Sequence, residues 1–268
     1  MGCRHSVAAG RSVLHVAAVT GPRVGASRAF SLIEILIVIS ILSILLALTV
    51  PSLVNARGQG RQVACMSNLK GIATVIELYT QASRDRYPYT PADTWIVTSP
   101  PEDPPASAGL DTQHFAKLRY NWTALVGGVA PWRQFFATWV CSGARRPTDE
   151  PWRAGSYGTG DGASSYIYSS AFRARPEVWS PGATADPALL AAVAVGDVAF
   201  PARKVIFFDG EMAHLPPNAD KDNRPMLFAD GHAALHRLSQ ATKPVVNPFT
   251  KQAEPLHDTA MGVRGFDY

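Results

Sequence analysis

Residues 30–50 form an apolar run 21 residues long with a single charged side chain, Glu34. About 20 residues at 1.5 Å rise cover the roughly 30 Å hydrocarbon core of a bilayer, whereas the apolar part of a cleaved secretory signal is usually about 7–15 residues. No small-x-small cleavage site comes after the run; Pro51 and Ser52 lead into more helical sequence. Upstream, residues 1–29 contain Arg4, Arg11, Arg23 and Arg28 and no acidic residue. Such a basic leader is expected to stay on the cytoplasmic side of a membrane. A carboxylate at mid-bilayer costs about 2.5–3.5 kcal/mol on insertion scales, so Glu34 is treated as a functional residue by default.

The stretch from Arg28 and Ala29 through Phe30-Ser31-Leu32-Ile33-Glu34 into Ile35-Leu36-Ile37 resembles the class III signal of type IV prepilins and type II secretion pseudopilins. In that family a small residue before the cut is followed by F-[ST]-L-I-E. The resemblance implies that a prepilin peptidase cuts between Ala29 and Phe30 and methylates the new amino group of Phe30. Ala29 stands where the family most often has Gly. Pro51 falls where many pilins kink the long helix. The implied partners are the prepilin peptidase/methyltransferase, other pseudopilin subunits, an inner-membrane assembly platform and membrane lipid. The implied placement is single-pass in the inner membrane, with a cytoplasmic N-terminus and a periplasmic head.

Glu34 has a physical role without the family. Removing residues 1–29 exposes a cationic amine at Phe30, one helical turn from Glu34. In a lateral assembly, the carboxylate of one subunit neutralises the amine of its neighbour. Breaking a buried pair leaves an uncompensated charge, worth about 3–5 kcal/mol, so the pair acts as a register device. The rival reading is a signal-anchored periplasmic binding module or hydrolase in which the glutamate is incidental.

Charge excludes one class of partner. The chain has net charge +4, but four of its 25 basic residues and none of its 21 acidic ones lie in 1–29, leaving 21 of each beyond. A basic nucleic-acid footprint is therefore absent from residues 30–268.

Beyond Pro51, Val63, Met66, Leu69, Ile72, Ala73, Ile76 and Tyr79 recur at three- and four-residue spacing, with Arg61, Gln62, Asn68, Lys70, Glu77 and Gln81 between them. This predicts an amphipathic helix over 51–86. Continuous with 30–50, the rod is about 80 Å long, and Pro51 is expected to bend it. Residues 65–72, C-M-S-N-L-K-G-I, are similar to a C-x-S-N-L-K-x-I helix of bacterial pseudopilin-like proteins.

Residues 87–268 read as an α+β head. Six prolines in 87–115 and the glycines 155, 158, 160 and 162 mark two irregular segments without a phosphate-binding pattern. Trp122, Trp132, Phe135, Phe136 and Trp139 are expected to pack in a core. Short strands are expected at 165–168, 204–208, 225–229 and 232–238, the last two joined at Asp230-Gly231 by a hairpin turn. Residues 227–232, L-F-A-D-G-H, are similar to the terminal hairpin of a large pseudopilin-like family. That family has a histidine ten residues before the Asp, where this chain has Asp220.

The head contains His214, His232, His236 and His257, with Asp209, Glu211, Asp220, Asp222 and Asp230. His232 and His236 share a strand face but lack a third defined zinc ligand, and no metal residues are assigned. Asp220, Asp222 and Asp230 could offer oxygens to calcium, which the major pseudopilins bind in C-terminal loops, although no EF-hand loop is present. With no G-x-S-x-G elbow or Cys-His pattern, the chain reads as a non-enzyme without an organic cofactor. Cys3 leaves with the leader, and Cys65 and Cys141 are compatible with either a disulfide or two buried thiols.

Overall fold

The computed structural model describes residues 31–89, 115, 119, 122–141, 164–210, 212, 215 and 220–268. Both prolyl and glycyl segments predicted as irregular lie mostly outside these residues, as do Ala29, Phe30, Glu211 and His214. The chain divides into two compact units, Met1–Val50 and Pro51–Tyr268.

In the first unit, residues 32–50 are helical and every described side chain is exposed. They begin helix α1, whose full span is Leu32–Ala82. The hydroxyls of this stretch are satisfied within it. Ser40 and Ser43 donate to the carbonyls of Leu36 and Ile39, each at 2.7 Å, and Thr49 donates to Leu46 at 3.4 Å. A helix with internally paired polar groups and an apolar surface is one of the few forms that hydrocarbon tolerates. Among the described residues, α1 is the one helix long and apolar enough to cross a membrane.

The second unit begins at Pro51, and α1 runs on through it. Proline has no N–H to donate and removes one backbone bond, yet the helix does not end there. Further along, Cys65, Leu69, Ile72 and Ile76 are buried at helical spacing, with Val75 beside them. Two expectations for this face are corrected. Val63 is 69% exposed, because burial begins only at Cys65, and Cys65 and Val75 take places on the face that hydropathy alone left out. The helix also stops at Ala82 rather than running to 86. Arg84 and Asp85 both have φ of 56°, and the Asp85 N–H returns to the Thr80 carbonyl at 2.9 Å, a left-handed C-terminal turn.

Helix α2, Trp132–Trp139, lies against α1. Asn68 donates from its amide to the carbonyls of Ala137 and Val140, both at 3.0 Å. Gly71 permits this approach, since a Cβ there would stand 2.9 Å from the Thr138 methyl.

Four strands, β1 (Tyr166–Tyr168), β2 (Val205–Asp209), β3 (Asn223–Phe228) and β4 (Ala233–Arg237), form an antiparallel sheet in the order of the chain. They fall within two residues of the predicted strands. Both faces are covered, and successive residues enter different clusters. Tyr166, Tyr168, Phe207 and Leu227 join the larger core with α1, Trp122, Trp139 and Trp179. Ile167, Val205, Phe208, Met226 and Phe228 join a smaller one with Leu256. The alternation breaks at Ile206 and Phe207, which enter the same core, and the β2–β3 register shifts between Val205 and Phe207. A bulge there reverses the side-chain sequence. Pairing of β3 with β2 covers Met226 to Phe228 and leaves out the preceding Pro225, which has no N–H for a ladder.

Of the aromatic residues predicted as core whose side chains are described, Trp122 and Trp139 are core and Phe135 is partly buried against it. Trp122 and Trp139 are fully buried edge to face, 5.2 Å between centroids, and Trp122 also meets Phe207 at 4.4 Å. The hairpin turn is also as predicted: Gly231 has φ of 86° and the Asp230 carboxylate accepts the His232 N–H at 3.1 Å.

Candidate functional site

The N-terminal end of α1 is built by a local exchange. Ser31 precedes the first helical residue, and its N–H donates to the Glu34 carboxylate at 2.8 Å while Glu34 N–H bonds the Ser31 carbonyl at 3.1 Å. The first part is half of a capping box, S-x-x-E, which satisfies a backbone donor that the helix cannot. It also sets a negative charge at the positive end of the helix dipole. The S-x-x-E spacing is present in the sequence and carries this signal independently of membrane insertion. The carboxylate is thereby directed back toward Ser31, at the N-terminal end of α1.

A model of the prokaryotic N-terminal methylation motif matches residues 25–50, the segment holding this exchange. By that segment the chain is type IV prepilin- or pseudopilin-like. No curated protein and no solved structure matches it. The prepilin-like segment and the α+β arrangement C-terminal to it agree with the expected recognition and fold. The motif implies processing by a prepilin peptidase and assembly with other pilin-type subunits, and the apolar helix is consistent with a single-pass membrane anchor.

In the head, the histidines and acidic residues singled out as ligand candidates have local partners. His232 stacks on Phe228 at 4.3 Å and its Nδ1 lies 2.6 Å from Asp230; His236 meets the same Phe228 ring at 5.3 Å and Tyr268 at 4.6 Å. The two histidines thus share a face, as strand periodicity requires, but the face is aromatic. Partial burial, then His232, lowers the His236 pKa. Asp220 accepts the Asp222 N–H at 2.9 Å, and Asp222 accepts the N–H and hydroxyl of Ser239 at 2.7 and 2.5 Å.

A different group comes together in the core. The sulfurs of Cys65 and Cys141 and a carboxylate oxygen of Asp209 all lie within 4.8 Å of one another. α1 brings the first, the chain just past α2 the second, and the end of β2 the third. Exposure of these residues is 0%, 1% and 0%. Tyr166, opposite Asp209 in the sheet, is buried beside them, and its hydroxyl lies 3.4 Å from the Cys65 carbonyl. Burial, then Cys65, Cys141 and Asp209, drive the phenol's pKa up and keep it protonated. Among the described residues this is the one set of three groups suited to a metal, and sequence reading linked only its two cysteines.

The C-terminal segment supplies a second buried polar cluster that no sequence signal marked. His257 accepts the Ser170 N–H at its Nδ1, 3.1 Å away, which places the ring proton on Nε2. The Ser170 hydroxyl in turn accepts from Arg173 at 2.6 Å. Burial, then Arg119, Arg173 and Lys204, hold the His257 pKa well below 6.5. The unfolded chain therefore takes up a proton below about pH 6.5 that the folded chain refuses. Stability supplied by neutral His257 is complete above that pH and falls as pH drops toward the depressed native value, at up to about 1.4 kcal/mol per pH unit. Denaturation midpoints measured from about pH 7.5 to 5.5 are expected to fall, and a His257→Asn variant to lose most of that slope whatever its stability at the upper end. An unchanged slope would assign the acid sensitivity elsewhere.

Proposed function

We propose that the chain is a structural subunit, a pseudopilin, of a type II secretion or type IV pilus-like filament. Residues 1–29 stay cytoplasmic until a prepilin peptidase in the inner membrane removes them and methylates the amine of Phe30. Residues 30–50 then serve twice: as a membrane anchor before assembly and as the packing surface between subunits within the filament. Glu34 neutralises the new amine of an adjacent subunit and so sets the axial step, and Pro51 marks the passage from anchor to head. The head lies in the periplasm and contacts other subunits; the inner-membrane platform extracts the anchor. Catalysis has no part in this reading.

The observation that carries it is the start of α1, where a single carboxylate interrupts a wholly exposed apolar helix inside the matched methylation motif. Co-expression with a prepilin peptidase, followed by mass spectrometry of the N-terminus, tests it. The expected result is loss of 29 residues and an N-methylated Phe30. A chain that keeps its leader in the presence of active peptidase is instead a signal-anchored protein.

A further inference from the structure

The geometry points to a structural site for a thiophilic divalent cation, zinc by preference, held by Cys65, Cys141 and Asp209. The three groups belong to positions far apart in the chain, yet their ligand atoms meet within 4.8 Å in a region closed to water. Around a tetrahedral zinc with Zn–S near 2.3 Å and Zn–O near 2.0–2.2 Å, ligand atoms stand about 3.5–3.8 Å apart. Shortening these separations by at most about 1.3 Å meets that requirement. The three protein ligands leave the fourth tetrahedral position open.

The surroundings hold the ligands in place. Asn68, three residues after Cys65 on α1, bonds the carbonyls of Ala137 and Val140 and so fixes the segment carrying Cys141. One Asp209 oxygen accepts the Met212 N–H at 2.8 Å, which orients the carboxylate. Backbone pairing of Tyr166 with Asp209 fixes the third element. Two thiols brought beside a carboxylate in low dielectric give up their protons only when a cation joins the three groups, since three uncompensated negative charges would repel one another. Two sulfurs among three ligands select zinc or a similarly soft ion over calcium or magnesium.

Loading is redox-neutral. Zinc displaces one proton from each thiol to bind the sulfurs as thiolates and takes the carboxylate as its third ligand; no electrons move. The site fastens α1 to the segment after α2 and to the sheet, and is independent of whether the chain enters a filament.

The test uses the full-length protein produced with its peptidase, extracted in detergent and purified without reductant or chelator. Metal analysis is expected to find close to one zinc per chain, and alkylation followed by peptide mass spectrometry to label Cys65 and Cys141 only after denaturation with chelator. Asp209→Asn and Cys141→Ser are each expected to weaken zinc binding, measured against a competing chelator, on the order of 100-fold. Should a variant fail to fold, the wild-type metal content and alkylation pattern decide. A Cys65–Cys141 disulfide-linked peptide in zinc-free protein, or thiols that alkylate without chelator and ignore added zinc, would overturn the proposal.

Discussion

Replacing Glu34 with glutamine is expected to leave the chain inserted and processed but to abolish filament assembly. Two roles of this side chain must be separated. As a capping residue it accepts the Ser31 N–H at 2.8 Å, and glutamine can take over that bond, since Glu and Gln both serve at the third position of a capping box. In the proposed assembly its charge neutralises the neighbouring subunit's amine, and glutamine cannot do that. An amine left uncompensated in an apolar contact costs about 3–5 kcal/mol, which weakens each subunit addition on the order of 100- to 4000-fold. A Glu34→Leu variant removes both roles and is expected to insert at least as well while also failing to assemble. Membrane fractionation and N-terminal mass spectrometry establish insertion and processing; recovery of sheared filaments, or site-directed cross-linking along residues 32–50, measures assembly. Normal filaments from the glutamine variant would show that capping alone explains Glu34.

The largest effect on the head is expected from Lys204→Met. Lys204 is fully buried; its ammonium lies 2.6 Å from the Thr259 hydroxyl and 3.2 Å from the Asp267 carboxylate, whose other oxygen accepts the Val205 N–H at 2.8 Å. The bonds tie the start of β2 to the C-terminal segment. Burial lowers the lysine's pKa while Asp267 pushes it back up, so the pair persists because each charge compensates the other. Removing the ammonium strands Asp267 in the core, a loss of about 3–5 kcal/mol. Thermal unfolding of the detergent-solubilised chain is expected to show a midpoint lower on the order of 10 °C. The double variant Lys204→Met with Asp267→Asn should recover a substantial part of that loss, since no charge is left behind. A single variant as stable as the parent would mean that water or another cation reaches Asp267.

Local features of the head are legible in the residue order. Asp230-Gly231 announces a turn because only a residue without Cβ accepts φ of 86° readily, and the four strands stand out as short apolar or alternating runs. The face of α1 is legible through its periodicity, but its beginning is not. Val63 continues the apolar pattern and is exposed, because nothing in a helix's own sequence states where its neighbours begin. His257 stands in the sequence among four candidate histidines with no partner assigned, and Lys204 reads as an ordinary polar residue. Their burial depends on partners 87 and 63 residues away, Ser170 and Asp267.

From the residue order alone came the membrane-length helix, its basic leader, the acid near its start and the α+β character of the head. These depend on composition and spacing over one or two turns, and such short-range patterns are visible in a linear string. The meeting of Cys65, Cys141 and Asp209, the division of the sheet's side chains between two cores around a bulge, and the polar cluster under the C-terminal segment were decided only in three dimensions. Each depends on which distant elements exclude water from the same volume, a property of packing that no local window contains.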